Sequence, residues 1–181
     1  MSSRDLTATS ELLRNVSMFR GLPKEALEPL TLRLTPRRAV KEELIIAEHQ
    51  PGDALYIVAS GKVKVSLIGE SGREMILSVL GPGEFFGEMS LLDGQPRSAR
   101  VTAVTSSLLY VLSREAFRDY LQRTPQSALN ILAEMTRRLR RADDIIGSLA
   151  LLDVYGRVAH TLLELARKEG VQRDDGILID N

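Results

Sequence analysis

The stretch Phe85-Phe86-Gly87-Glu88-Met89-Ser90-Leu91-Leu92-Asp93-Gly94-Gln95-Pro96-Arg97-Ser98-Ala99-Arg100-Val101 decides how the rest of the chain is read. Gly87 lets the backbone come close to a ligand. Glu88 to Leu92 has the length of one helical turn, and the first N–H groups of such a turn suit an anion. Arg97 follows Pro96 at the entry to the next apolar run and can fold back over the same anion. Its guanidinium offers two parallel donors to phosphate oxygens, and Ser98 adds a hydroxyl. A buried Glu88 beside a phosphate would be repelled unless it accepts a hydrogen bond from a neutral group such as a sugar hydroxyl. The chemistry implied is one phosphate and one ribose, with no catalytic base near.

Upstream and downstream of this stretch the chain consists of short apolar runs. They are Leu44 to Ala47, Leu55 to Val58, Val63 to Leu67, Met75 to Leu80, Val101 to Val104 and Leu108 to Leu112. Turn residues separate them: Pro51-Gly52-Asp53, Ser60-Gly61, Gly69 to Gly72, Gly81-Pro82-Gly83 and Asp93-Gly94. Short strands at this spacing predict an all-β sandwich or barrel. Around Lys62 to Val65 polar and apolar residues alternate, so one face is wet. Glu70-Ser71-Gly72 reads as a hairpin tip, because glycine supplies a positive φ.

Helices flank the β region. Residues 1–8 are polar and read as a loose tail, with Ser10 capping a short helix through Leu12, Leu13 and Val16. Pro23 stands at a first helical position before Leu27 and Leu30, and Pro36 stops that helix. Ser113 is placed to cap a helix reaching Leu121, and Pro125 opens a long one. On the long helix Leu132, Met135, Leu139, Ala142, Ile146 and Leu149 recur at steps of three and four, a heptad seam. That seam predicts a parallel coiled-coil homodimer, with simple core packing as the other reading. Ile131 and Ile145 widen the stripe, so a second face can lie on the β domain. In the heptad Arg138 falls at g and Asp143 at e, so Arg138 of one chain and Asp143 of the other are expected neighbours. Asp153 is a candidate N-cap for a last helix, Gly170 ends it, and Gly176 to Ile179 starts a strand. The predicted organisation is a tail at 1–8, a β domain at 9–124, a dimerisation helix at 125–152, and a hinge with the start of a further, truncated domain at 153–181.

Composition narrows the function classes. The 181 residues carry 24 Lys and Arg against 24 Asp and Glu, and the charges also balance on either side of Leu112. A complete nucleic-acid-binding domain is therefore not expected within the chain. The absence of Cys excludes disulfides, thiolate nucleophiles and cysteine-ligated clusters, and two His leave little for a metal site. No apolar run approaches the roughly 18 residues of a membrane span. The N-terminus has no signal-like apolar segment, so a soluble cytoplasmic protein is the default expectation.

Gly87-Glu88 followed by Arg97-Ser98-Ala99 resembles the phosphate-binding cassette of cyclic-nucleotide-binding domains. Gly52-Asp53-Ala54-Leu55-Tyr56-Ile57-Val58, with Gly61 and Val63 beyond it, resembles the upstream signature of the same domain. The long helix and the stretch Leu151-Leu152-Asp153-Val154-Tyr155-Gly156-Arg157 resemble the dimerisation helix and hinge of the bacterial cyclic-AMP receptor protein (catabolite activator) and FNR family. The resemblance covers roughly Leu12 to Ile179. It implies a mainly β double-stranded β-helix, or jelly roll, with flanking helices and a long C-terminal dimerisation helix. It further implies a homodimer that binds cyclic AMP as an allosteric ligand. DNA and RNA polymerase would be met only through the intact protein, whose DNA-binding helix-turn-helix domain is expected beyond the hinge, so a truncated chain is the favoured expectation. By carry-over, Gly87, Glu88, Met89 and Ser90 line the pocket, with Glu88 on the ribose 2′-hydroxyl. Arg97 and Ser98 hold the cyclic phosphate, and Val65 and Leu77 pack on the ligand's apolar side. The base would face Arg138, Ala142 and Asp143 of the long helix.

At Ala142-Asp143 the sequence departs from the Thr-Ser pair of the family's cyclic-AMP binders. Ala142 cannot hydrogen-bond adenine. Asp143 can accept from the exocyclic amine but offers no donor, and it can equally serve the helix–helix ion pair. Hence cyclic GMP, a cyclic dinucleotide or a purely structural dimer stay open as alternatives. A cupin-like metalloenzyme would need clustered His and carboxylates that the sequence lacks, so no enzyme, cofactor or metal is expected. Four arginines within Arg137 to Arg141 read as a solvated or ion-paired face. His49 reads as an exposed loop residue, and His160 as a packing or surface residue. As side chains alone, Met89 and Met135 read as core.

Overall fold

The computed structural model describes residues 3–173 and 176–179. The elements run α1 (Ser3–Asn15), α2 (Lys24–Thr31), β1 (Thr35–Ala39), β2 (Leu44–Ile46), β3 (Ala54–Ser60), β4 (Val63–Ile68), β5 (Glu74–Leu80), β6 (Phe85–Phe86), α3 (Met89–Asp93), β7 (Arg100–Ala103), β8 (Ser107–Ser113), α4 (Arg114–Arg123), α5 (Pro125–Leu151), α6 (Val154–Glu169), β9 (Gly170–Arg173) and β10 (Gly176–Ile179). The chain divides into two compact units, Met1–Leu132 and Ala133–Asn181.

In the first unit eight strands form two four-stranded antiparallel sheets, ordered β1-β8-β3-β6 and β2-β7-β4-β5. Both sheets turn apolar side chains into one core, which holds Ala39, Val58, Phe86 and Leu109 from the first and Ile45, Ile46, Val63, Leu80, Val101 and Ala103 from the second. This is the expected jelly roll with flanking helices. Each apolar run of the sequence falls on a strand. The Ser71 tip closes as expected: Gly72 has φ 76° and its N–H donates to the Gly69 carbonyl at 2.8 Å.

Two strands carry weaker signals. β1 contains Pro36, which a central strand would exclude, and β1 is indeed the edge of its sheet. β6 is two residues long, so ladder bonds alone hold it weakly. Its anchors are Phe85 and Phe86, both buried, with Phe86 stacked on Tyr56 at 5.1 Å between ring centroids. Burying one such ring contributes about 1.5–3 kcal/mol, and this fixes where the Gly87 turn begins.

The helix ends partly follow the sequence expectations. Ser113 Oγ accepts from the Ala116 N–H at 3.2 Å and Asp153 Oδ1 from the Gly156 N–H at 2.8 Å, so both caps form. Pro23 is the residue before α2 rather than its first, in extended conformation. The N-terminal expectation is corrected: α1 already starts at Ser3, inside the segment read as a loose tail, and Ser10 sits within it. The reason is tertiary. Thr9 and Ser10 are buried, and the Thr9 hydroxyl meets the Tyr110 hydroxyl at 2.9 Å, so the helix is held by the body it packs on rather than stopped by a cap.

The first unit extends into α5, past the expected boundary at 124/125. Ser127 and Ile131 are buried, and the Asn130 amide donates to the carbonyls of Met18 and Arg20 at 3.2 and 2.9 Å. In the second unit α6 is followed by the β9–β10 hairpin, which starts earlier than the strand read at Gly176. Among the described residues no helix is long and apolar enough to cross a membrane. No group of three or more His, Cys, Asp or Glu among them is placed to hold a metal ion.

Candidate functional site: the Gly87–Arg97 cassette

β6 delivers the chain to Gly87, whose φ is 84°, and the short helix α3 comes next. The left-handed backbone at Gly87 needs glycine, and so does the space around it. A Cβ there would lie 2.6 Å from Arg97 Nη1 and 3.1 Å from the Ala54 carbonyl oxygen. α3 ends at Gly94, whose φ of 75° and N–H bond to the Ser90 carbonyl at 3.2 Å make a left-handed C-cap. The segment from Gln95 onward then returns to the sheet. Main-chain bonds tie it to the loop before β3, from the His49 N–H to the Arg97 carbonyl and from the Arg97 N–H to the Gln50 carbonyl, both 2.9 Å.

Arg97 is the centre of this arrangement. Its side chain turns inward, leaving the residue 5% exposed. Nη1 donates to the Gly87 carbonyl at 2.6 Å and Nη2 to the Ala54 carbonyl at 2.7 Å. Two carbonyls use only part of the guanidinium's five N–H donors. Burial lowers the Arg97 pKa from the ordinary arginine value; Tyr56, Asp53 and Glu88 favour its charge, and Arg114 opposes it. Arg97 therefore folds back onto the Gly87 turn. The backbone carbonyls that seat it are additional partners.

Glu88 and Ser90 are buried beside it. Ser98 is exposed, and its hydroxyl points to Met89 Sδ at 3.7 Å. Met89 is 48% exposed, which corrects its reading as a core side chain: as the first residue of α3 it projects from the surface turn toward Ser98. Met135 is half-buried. Val65 is half-buried against the sandwich core. Leu77 occupies a bulge in β5, between Ile76 paired with Ser66 and Ser78 paired with Val65, and is 40% exposed. Beside this bulge Lys64 and Ser66 both donate to the Glu74 carboxylate at 2.7 Å, and the Lys64 bond leads the effects that hold Glu74 below its ordinary pKa.

The remaining candidates lie in the second unit, except Leu132 at the end of the first. Arg138 Nε is 3.5 Å from Glu134 Oε1, and Arg137 donates to Glu134 Oε2, so part of the arginine run is ion-paired along the helix. Ala142 and Asp143 are exposed. Leu132, Leu139, Ile146 and Leu149 are exposed apolar residues along one helix, with Leu139 62% exposed. Ile131 is buried, as the broadened stripe requires, whereas Ile145 is 41% exposed. His49 and His160 are exposed, as read.

Sequence reasoning missed Arg114 and did not assign a reason to Gly52. Arg114 Nη2 donates to the Gly52 carbonyl and, at 3.0 Å, to the Ser90 carbonyl. A Cβ on Gly52 would lie 2.5 Å from Ser90 Cβ and 2.8 Å from Arg97 Cζ. A cavity of about 230 Å³ opens elsewhere, between α2 and α4, over Leu30 and Tyr120. There Arg33 and Arg123 both donate to Asp119, which offsets part of their charge.

Residues 36–124 match the cyclic nucleotide-binding domain family. A CRP-like cAMP-activated global transcriptional regulator from Mycobacterium tuberculosis is 36% identical over 169 residues, spanning 93% of this chain and 75% of the relative. The crystal structure of the Thermus thermophilus catabolite activator protein aligns with TM-score 0.66 and 30% identity, over 91% of this chain and 93% of that one. A c-di-GMP-responsive global regulator from Xanthomonas campestris aligns with TM-score 0.74 and 26% identity, over 86% and 78%. The chain belongs to the CRP family of transcriptional regulators and carries that family's cyclic nucleotide-binding domain.

Proposed function

We propose that this chain is the ligand-sensing and dimerisation part of a cytoplasmic CRP-type transcription regulator, and that its ligand is cyclic AMP. The observation that carries the proposal is the buried Arg97 guanidinium drawn onto the Gly87 carbonyl beside buried Glu88. A partly bonded cation next to a glycine turn suits one cyclic phosphate, and the neighbouring carboxylate suits a ribose hydroxyl. These residues fit the ligand: Gly87 leaves no room for a side chain between Arg97 and Ala54, so the cation stays at the turn. Glu88 would accept from the 2′-hydroxyl, Arg97 and Ser98 would donate to the phosphate, and Gly87, Met89 and Ser90 would line that side. Val65 and Leu77 would meet the ligand's apolar face; for Arg138, Ala142 and Asp143 of the second unit, a role toward the base rests on the family resemblance alone. No step of this mechanism breaks or forms a covalent bond, so the protein acts as a sensor and not as an enzyme.

The signal passes through a homodimer joined along Leu132, Met135, Leu139, Ala142, Ile146 and Leu149. Cyclic AMP shifts the dimer only if it binds two arrangements unequally. DNA and RNA polymerase are partners of the intact regulator. The cAMP-activated mycobacterial relative supports cyclic AMP; the c-di-GMP-responsive relative and the Ala142-Asp143 pair support a cyclic dinucleotide as the second reading.

Isothermal calorimetry with cyclic AMP, cyclic GMP and c-di-GMP separates these readings. The expected result is heat with cyclic AMP that weakens at least about tenfold in Arg97→Ala, from loss of charge-assisted bonds. Heat with c-di-GMP alone favours the second reading, and no heat with any of the three leaves a structural dimer.

A further inference from the structure

We infer that Arg114, the first residue of α4, is a positioning residue that holds the two walls of the phosphate-binding cassette together through the carbonyls of Gly52 and Ser90. The inference rests on the nucleotide-binding reading of that cassette and adds to it a residue that touches no ligand. One wall is the loop ending in Gly52 and Asp53; the other is α3. Arg114 is fixed to the first wall by its main chain, since its N–H donates to the Asp53 carbonyl at 2.7 Å. Its guanidinium then reaches both the Gly52 carbonyl and the Ser90 carbonyl. The Ser90 oxygen is the same one that accepts the Gly94 N–H at the end of α3. A cation suits that end of a helical turn.

The walls meet where Arg114 joins them. The place a Gly52 Cβ would occupy is already within 2.5 Å of Ser90 Cβ and 2.8 Å of the Arg97 guanidinium carbon. Arg97 in turn is seated on Ala54, next to Asp53, and on Gly87, which leads into α3. Each carbonyl that seats Arg97 therefore lies within three residues of a carbonyl held by Arg114. If the walls part, Arg97 loses one of its two seats and with it the direction in which its remaining donors point. Both bonds leave the single nitrogen Nη2, and lysine cannot replace it fully, because its ammonium is more strongly hydrated and sits on a shorter, more flexible stem.

The test uses the full chain as wild type, Arg114→Lys and Arg114→Met. Cyclic AMP affinity is read by calorimetry, and amide hydrogen exchange is read by mass spectrometry without nucleotide. In Arg114→Met the affinity falls at least about tenfold, the scale of losing charge-assisted bonds, and exchange rises in peptides covering 50–54 and 88–93 but not in β4 and β5. Arg114→Lys recovers part of both. An Arg114→Met affinity within about twofold of wild type, well below the scale of one such bond, overturns the inference; so does an exchange increase spread evenly over both sheets. If Arg114→Met does not fold, Arg114→Lys decides by the same two readouts, with wild-type values overturning the inference. A wild type that gives no heat with cyclic AMP sinks the nucleotide reading instead, and unchanged exchange at 50–54 and 88–93 then sinks the clamp separately.

Discussion

Replacing Gly52 by Ala tests whether the Arg97 seat is as closed as the geometry indicates. The added methyl would stand 2.5 Å from Ser90 Cβ and 2.8 Å from both Arg97 Cζ and Nε. Ordinary carbon contacts are about 3.5–4.0 Å, so something must move by roughly 1 Å. Arg97 can retreat only by stretching its bonds to Gly87 and Ala54, which now measure 2.6 and 2.7 Å. Ser90 can retreat only by shifting α3, whose Ser90 carbonyl is held by Arg114 and Gly94. Overpacking of this kind costs typically about 1–3 kcal/mol. At about 2 kcal/mol, and roughly 2–4 °C per kcal/mol for a chain of this size, the melting temperature should fall by about 4–8 °C. Differential scanning calorimetry measures the fall, and titration with cyclic AMP should show a matching loss of affinity. A melting temperature within about 1 °C of wild type, less than even 1 kcal/mol would produce, together with unchanged affinity, would refute the closed seat.

Three further outcomes are expected. Ser113→Ala removes the cap on the Ala116 N–H and should cost about 1 kcal/mol in urea denaturation, with no change in nucleotide affinity. The Arg33 hydrogen bond leads the effects that hold the Asp119 carboxyl below its ordinary value of 3.8, so its stabilising contribution is present above 3.8 and is lost as pH falls through its lower folded value. Asp119→Asn should therefore be less stable than wild type near neutral pH, and the difference should close in acid; a difference independent of pH would contradict the assignment. Leu139→Asp places a charge in the exposed apolar row of α5 and should convert a dimer to a monomer in light scattering, and a persisting dimer would place the interface elsewhere.

The β architecture was legible because its strands are apolar runs cut by glycine and proline, and a run such as Leu55 to Val58 leaves little choice of structure. β6 was not legible as a strand, since two phenylalanines before a glycine carry no period, and pairing with β3 together with packing on Tyr56 and the core defines them. The start of α1 was misread because Ser10 has the chemistry of a cap, while its burial is a tertiary fact that no local signal carries. At the candidate site, the return of Arg97 to the turn at Gly87 was readable from residue type and spacing. The seat of Arg97 was not, because Ala54 contributes only a carbonyl, which every residue has, from 43 positions away. Arg114 was hidden for a related reason: an arginine in the first turn of a helix ordinarily reads as a solvated side chain, and its two acceptors are main-chain oxygens from different elements. Gly52 shows the same limit from the other side, since a glycine beside Pro51 reads as a turn and its steric role appears only once Ser90 and Arg97 are in place.

The most direct test of the central claim is a crystal structure of this chain grown with cyclic AMP. The expected density places the cyclic phosphate within hydrogen-bonding distance of the Arg97 guanidinium and the ribose 2′-hydroxyl on Glu88, with Arg97 still donating to the Gly87 carbonyl. Nucleotide bound elsewhere, or a cassette in which Arg97 keeps only its two carbonyls at saturating cyclic AMP, would contradict it.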